Sequence, residues 1–597
     1  MKNTHMVRFF FKRYFPVLFL LMGFTGYVNA QNIDFTAGCP NNPADLKEQE
    51  VGTPISSSGM WAIPTITAIN PPGGAAITMS IQTIDVFFGG LPQPGEGCSS
   101  CASPVTIHGI NFTTSGANFT ITGTPDGTSA GYSFSVTIRA SAGGTNCDRT
   151  YSFNIVASGS HSGDPHVTTV NGINYDFQSA GEFTLLRGDS GSTFEIQTRQ
   201  TAVATNSTVA NPYTGLSTCV SVNTAVAARV GTHRVSFQPN INGNPDSSGM
   251  QLRVDGKLTT PGDNGIDLES GGRILSSAGG GIEIDFPDGA SLVATPLWWS
   301  YYNVWLLNLN VYRTRATKGI MGIIRVPIIT AGITHISETG WLPLLPDGSS
   351  VGPMPEGLHE RFTILYQKFA DAWRVTDKTS LFDYAPGTST STFTDKNWPI
   401  ENPESCIFGN KVPKQPIALE EAQKLCADIL DPNMKANAIF DVMVTGEPTF
   451  TKIYLLTQET QNTTTATTVD AGKDTTKHGE PVTFTAAVAR KFLAGKDVLA
   501  GSVEFTADGK KLDQVKLDAN GLAVLTTTAL EVGTHQIVAR FIPDSGSPVL
   551  SSSSLGITHI VTGTNGLPPI LREWWLWLLI LIILGIIMAL LRKKKNP

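Results

Sequence analysis

Short apolar runs that alternate at period two recur along most of the chain, and each is stopped by glycine, proline, asparagine or aspartate. Successive side chains of an extended strand point to opposite faces, so such a run buries one face and shows the other to water. Ile77-Met79-Ile81, Phe119-Ile121, Phe134-Val136-Ile138 and Tyr151-Phe153-Ile155 follow this pattern early in the chain. Val482-Phe484-Ala486-Val488, Val503-Phe505, Val515-Leu517, Leu522-Val524 and Ile537-Ala539-Phe541 follow it near the end, with Asp508-Gly509 and Asn520-Gly521 as hairpin turns. A chain written this way folds mainly as β-sheet, and 597 residues are too many for a single core. Several β-rich domains are therefore expected.

The two ends set the expected topology. Lys2, Arg8, Lys12 and Arg13 precede an apolar run from Phe15 to Gly23, and Val28-Asn29-Ala30 has the small-residue pattern of a cleavage site. Residues 1–30 thus read as a secretory signal peptide cut after Ala30. Trp574 to Leu591 is apolar and uncharged, lying between Glu573 and Arg592-Lys593-Lys594-Lys595. Eighteen helical residues reach about 27 Å, close to a bilayer core. A single transmembrane helix over 574–591 is expected, with the basic tail 592–597 cytoplasmic and the bulk of the chain extracytoplasmic. Leu567-Pro568-Pro569-Ile570 lacks the threonine and glycine of an L-P-x-T-G sorting signal, which favours a retained anchor. With a net charge of −7 and no basic stripe, nucleic acid is not an expected partner.

Seven cysteines suit an oxidising compartment. Cys39, Cys98, Cys101 and Cys147 lie together and allow three connectivities. Cys98-Ser99-Ser100-Cys101 has redox spacing but no βαβ context, so structural bridging is expected. Cys406 and Cys426 flank a short segment, where a bridge would contribute roughly 3 kcal/mol. Cys219 is then the odd thiol, either free and buried or paired with another chain.

Residues 31–157 read as an Ig-like sandwich, on Phe119 to Pro125 and Tyr132 to Val136. The next module opens with Gly163-Asp164-Pro165-His166-Val167-Thr168-Thr169-Val170-Asn171-Gly172-Ile173-Asn174-Tyr175-Asp176-Phe177. This stretch resembles the start of a von Willebrand factor type D domain. Phe194 to Arg199 is similar to that family's following strand, and Ala372 to Asp377 with Ser380 to Tyr384 to its closing segment, so a type D-like module over 160–395 is expected. The family's G-x-C-G-N-x-N-G segment appears here as Gly319-Ile320-Met321-Gly322-Ile323, with Met321 for the cysteine, Ile323 for a ligand asparagine and no acidic cluster after it. Calcium requires six or more oxygen ligands, so that site is not carried over. Gly181 also stands where the family often has cysteine.

Leu419, Ala422 and Leu425 fall at helical spacing, and Asp431-Pro432 is a helix start, so residues 400–458 read as a small helical appendage whose role is packing. Residues 463–562 resemble the bacterial Ig-like repeats of surface adhesins.

Two groups of residues hold chemistry worth weighing. His161, Asp164 and His166 fall within six residues, but no further His or Cys follows at ligand spacing, so hydrogen bonding rather than a metal is expected. The Asp164-Pro165 bond is the sharper candidate. The Asp164 carboxyl can close on its own carbonyl carbon and expel the proline nitrogen, with His166 as a proton donor. The resemblance implies the same, since mucin-like members cleave themselves within this G-D-P-H. Trp298, Trp299, Tyr301, Tyr302 and Trp305 lie among core-type residues and are expected to pack. No cofactor motif is present, and an ordinary enzyme is not expected.

The resulting expectation is a membrane-anchored protein of a bacterial cell surface or envelope, engaged in adhesion or in binding an extracellular protein or glycan. Self-processing at Asp164-Pro165 and a purely structural envelope role are the alternatives.

Overall fold

Alternating runs close into stacked sheets. The computed structural model describes residues 32–563 except 36–38, 40–42, 56–61, 89–90, 190, 207–218, 263–264, 269–270, 326–341, 402–405 and 493–498. The expected signal peptide with its cut after Ala30, the span from Trp574 to Leu591 and the basic tail lie outside the described residues. Among the described residues no helix is long and apolar enough to cross a membrane. The chain divides into a compact unit from Asn32 to Asn462 and a second from Thr463 onward.

In the first unit, a five-stranded sheet (Ile33–Asp34, Ile66–Ile69, Val105–Ile107, Ile110–Ser115, Asn118–Gly123) shares a core with strands Thr78–Phe88, Tyr132–Ala142 and β1, Thr145–Ser162. Ile66, Ile81, Phe112, Phe119, Phe134 and Tyr151 fill the space between, all at alternating positions. β1 runs through the expected boundary near residue 158. Its first half pairs with Tyr132–Ala142, and its second half with β2, His166–Thr168, and with the long strand Val304–Thr314. β2 in turn pairs with β3, Asn174–Asp176, and Val304–Thr314 is named β4. Glu48 and Glu50 reach across the same junction to Arg313, at 3.6 and 4.0 Å. Residues 31–157 and 160–395 therefore fold as one continuous body.

A second, six-stranded antiparallel sheet runs from Gly181–Arg187 to Lys257–Thr259. Phe177, Phe183, Ile196, Val226, Leu292, Leu309, Met321 and Trp373 build one core between the sheets. The stretch 380–384 folds back on this sheet, where the Leu381 N–H donates to Gln197 Oε1 at 2.8 Å. Of the aromatic cluster, Trp299 is fully buried and Trp298 pairs with Trp305 at 5.4 Å between ring centres.

The helical segment contains Leu419–Leu425, α1 (Pro432–Thr445) and α2 (Phe450–Thr463). Asp431 caps α1 by accepting from the Met434 N–H at 2.8 Å, with Pro432 at the first position where its missing N–H is harmless. Ala422, Val442, Val444 and Ile453 pack on Trp299, Tyr302 and Leu306.

The cysteine expectation needs correction. Cys39 pairs with Cys147 and Cys98 with Cys101, but Cys406 bonds Cys219, not Cys426. Paired backbone hydrogen bonds between Thr205 and Cys406 (2.8 and 3.1 Å) and the Val203 N–H donating to Val220 O at 3.1 Å bring these segments side by side, with the Cys219 and Cys406 Cα atoms 5.1 Å apart. Cys426 is the free thiol; it is buried against the helices, 3.7 Å from Thr451 Oγ1.

The second unit pairs a three-stranded sheet (Thr465–Ala471, Val482–Arg490, Leu522–Thr527) with a six-stranded one around Phe484, Val503, Phe505, Ile537 and Phe541. It is an Ig-like sandwich.

Candidate functional site

Gly163, Asp164 and Pro165 form the turn between β1 and β2, whose register pairs Ser162 with His166. Gly163 sits at φ +61°, in the left-handed region. A Cβ there would collide with Asp441 Oδ2 and the Tyr454 hydroxyl, so only glycine fits. Both residues come from the helical segment, through α1 and α2. The appendage expected only to pack thus supplies part of the site.

Around this turn the polar groups converge. The Gly163 N–H donates to Asn308 Oδ1 at 2.9 Å, and the Asp164 N–H to Asp441 Oδ1 at 3.3 Å. Gln178 Nε2 donates to the carbonyl oxygen of Asp164, the carbonyl of the Asp-Pro bond, and lies 3.4 Å from Asp164 Oδ1. The Ser221 N–H holds Gln178 by donating to its Oε1 at 2.9 Å. His166 Nδ1 lies 2.6 Å from Asp176 Oδ1, and its Nε2 lies 3.0 Å from both Asp441 Oδ1 and Asp164 Oδ1. The Tyr454 hydroxyl donates to Asp441 Oδ2 at 2.7 Å. Asp164 and Asp441 are fully buried, and His166 is 4% exposed. Asp164 Oδ2 is a buried oxygen with no hydrogen-bond partner.

The electrostatics follow from this geometry. Each imidazole nitrogen of His166 lies within hydrogen-bond distance of a carboxyl oxygen, a geometry that an imidazolium satisfies by donating from both. Burial alone would strip that proton, but Asp164, Asp176 and Asp441 outweigh it and hold the His166 pKa well above the ordinary histidine value. Asp164 is pushed the other way from a surface carboxylate. Burial, reinforced by the Asp441 charge, raises its pKa well above the usual range against the pull of His166. Tyr454 stays protonated, held up first by burial and then by Asp441.

His161, the third member of the sequence cluster, takes no part. It is buried, neither ring nitrogen has a hydrogen-bond partner, and burial together with the charge of His166 lowers its pKa to about 3. Among the described residues, Asp164, His166 and Asp441 are the set that could hold a metal ion, since their ligating atoms lie within 4.8 Å of one another. Yet Nε2 of His166 already hydrogen-bonds both carboxylates at 3.0 Å, an arrangement that shares protons and needs no ion.

Sequence reading missed Asp176, Gln178, Asn308, Asp441 and Tyr454. One signal was present: Asp441 is the lone charge in the apolar run Ala438-Ile439-Phe440-Asp441-Val442-Met443-Val444, and a buried helical carboxylate requires partners. α2 was also overlooked, because two of its buried positions, Thr457 and Thr460, are threonines.

Comparison with known proteins resolves one part of the chain. Residues 468–562 match the family described as bacterial Ig-like domain (group 3). This agrees with the sandwich seen there. No curated protein matches the chain. Among solved structures, the chain is similar to Salmonella α-2-macroglobulin reacted with methylamine, at 9% identity and a TM-score of 0.16, over 86% of this chain and 32% of that one. A Corynebacterium diphtheriae protein described as a putative membrane anchored protein aligns at 11% identity and a TM-score of 0.15, over 85% and 60%. Native α-2-macroglobulin of E. coli aligns at 10% identity and 0.16, over 88% and 39%. The chain thus spans from about a third to three-fifths of the length of these structures.

Proposed function

We propose that this is a surface protein that cuts its own Asp164–Pro165 bond inside a folded unit. The side-chain oxygen of Asp164 bonds to the carbonyl carbon of the same residue, closing a five-membered anhydride as the bond to the Pro165 nitrogen breaks. The proton that leaves the Asp164 carboxyl is the one the departing nitrogen gains, relayed by the His166 imidazolium. Water then opens the anhydride, leaving Asp164 as a new C-terminus and Pro165 as a new N-terminus.

Each part of this chemistry has a residue in place. Oδ2 of Asp164, unpartnered, is free to attack. Gln178 polarises the carbonyl and receives the developing oxyanion. Burial keeps Asp164 in the proton-bearing form that the balance of the reaction requires. The observation that carries the reading is this enclosed set of contacts around a single peptide bond. The resemblance of residues 160–395 to type D modules supports it too, because mucin-like members cleave within the same four residues. Enclosure favours this chemistry over adhesion as the role of the site, since groups buried this deeply cannot touch a ligand. The export signal read in residues 1–30 and the uncharged run from Trp574 to Leu591 support a place outside a bacterial membrane.

The test is a time course of the purified full-length chain at mildly acidic pH on a denaturing gel, beside an Asp164→Ala control. Two fragments are expected, the second beginning at Pro165 by N-terminal sequencing. An intact band matching the control throughout would sink the proposal.

A further inference from the structure

We propose that self-cleavage is licensed by docking of α1 and α2, because Asp441 and Tyr454 complete a site whose other members lie more than a hundred residues upstream. This inference rests on the self-cleavage reading. Asp441 lies 277 residues beyond Asp164, on a helix whose only carboxylate is turned into the body of the unit.

Without these helices the turn would still hold Asp164, His166, Asp176, Gln178 and Asn308. It would lack three things. The Asp164 N–H would lose its acceptor, His166 Nε2 would keep only Asp164 as a carboxylate partner, and the turn would stand open to water on the side where Asp441 Oδ2 and the Tyr454 hydroxyl press against Gly163. Open to water, Asp164 would ionise near the ordinary carboxylate value, and the relay would lose the proton it must pass to proline. Docking reverses all three. The helices are held firmly, with Phe440 edge-on to the His166 ring at 5.5 Å, Thr457 accepting from Asn308 Nδ2 at 3.2 Å, and Glu447 Oε2 accepting from Trp299 Nε1 at 3.0 Å. Glu447 is itself fixed by Lys414 at 2.6 Å.

Asp441 acts through His166 and the Asp164 amide and is a positioning residue. The ionisable groups facing it are Asp164 and His166 from the turn, Asp176 behind the imidazole, Tyr454 from α2 and the buried Cys426 thiol, which its charge helps to hold protonated. The cut is thereby tied to completion of the whole Asn32–Asn462 unit. A chain still being synthesised, whose β1–β2 turn has formed but whose helices have not docked, stays intact.

The test uses full-length chains carrying Asp441→Asn or Tyr454→Phe, both close in shape to the native residue, with cleavage rates followed from pH 5 to 9 and folding checked by thermal melting. Asp441→Asn is expected to slow cleavage by about 10²-fold, because it removes the group that positions His166, whose proton transfer is worth at least that much, and to move the pH-rate profile. Tyr454→Phe is expected to give a smaller slowing in the same direction. If folded Asp441→Asn cuts at the wild-type rate with the wild-type profile, the licensing role is overturned while self-cleavage stands. Should Asp441→Asn fail to fold, a Tyr454→Phe chain with unchanged rate and profile overturns it equally. A wild-type chain that never cuts removes the self-cleavage reading itself.

Discussion

Nε2 of His166 lies 3.0 Å from Oδ1 of Asp441 across a sequence separation of 275 residues. This contact joins the turn that carries the Asp-Pro bond to a helix beyond the β-rich body, and most of what can be tested follows from it.

The rate of cleavage is expected to fall as pH rises. Asp164 must bring a proton to the reaction, and burial with the neighbouring Asp441 keeps that proton bound well above the usual carboxylate range. As pH passes through the raised pKa the supply is lost. Time courses from pH 5 to 9 check this, and a rate that climbs with pH would contradict the assigned proton path.

Gln178→Ala is expected to slow cleavage by roughly 10²- to 10³-fold, the loss typical when one donor to a developing oxyanion is removed. Gln178 is the described side chain that donates to the Asp164 carbonyl. A variant that melts normally and still cuts at the native rate would remove Gln178 from the mechanism.

The two fragments are expected to separate on a non-reducing denaturing gel yet stay together on native size-exclusion chromatography. All seven cysteines are accounted for, and no bridge spans residue 164: Cys39–Cys147 and Cys98–Cys101 lie before it, Cys219–Cys406 after it. Pairing of β1 with β4 and the contacts of Arg313 with Glu48 and Glu50 hold the halves without a covalent link. Separation of the halves in native buffer would show these contacts to be too weak.

Cys219→Ser is expected to destabilise the Asn32–Asn462 unit by up to roughly 5 kcal/mol, since the bridge closes a very long loop and the chain-entropy effect grows with loop length. Cys426→Ser, at a thiol without a bridge, should cost about 1 kcal/mol. Denaturant titrations of the two variants give the order, and a reversed order would contradict the observed pairing.

How much of this was legible depended on the range of the interaction. Strands, turns and the Asp431-Pro432 helix start are written in neighbouring residues, and the expected Phe134-Val136-Ile138 and Val482-Phe484-Ala486-Val488 runs lie on strands as patterned. So was half of the site, since Asp164, Pro165 and His166 are consecutive. The other half came through tertiary contacts that no local spacing encodes. Gln178 reaches Asp164 only because β2 and β3 turn back on each other, and Asp441 only because α1 docks from afar. The Cys406 partner was misread for the same reason: proximity in sequence favoured Cys426, whereas backbone contacts of Thr205 with Cys406 and of Val203 with Val220 brought in Cys219.

His161 gives a prediction that tests the buried environment independently of cleavage. Its folded pKa of about 3 lies below the unfolded value near 6.5, because burial and the charge of His166 disfavour its protonated form. As pH falls below 6.5 the unfolded chain takes up a proton that the folded chain refuses, so stability is present above 6.5 and lost progressively toward pH 3. The loss from this group is on the order of 5 kcal/mol when fully developed. His161→Leu, made in the uncleavable Asp164→Ala background, should therefore flatten the acid limb of stability between pH 6.5 and 3. Denaturant midpoints measured across that window in both chains supply the comparison. Parallel curves would show that His161 is not held neutral, and that water reaches the back of the β1–β2 turn.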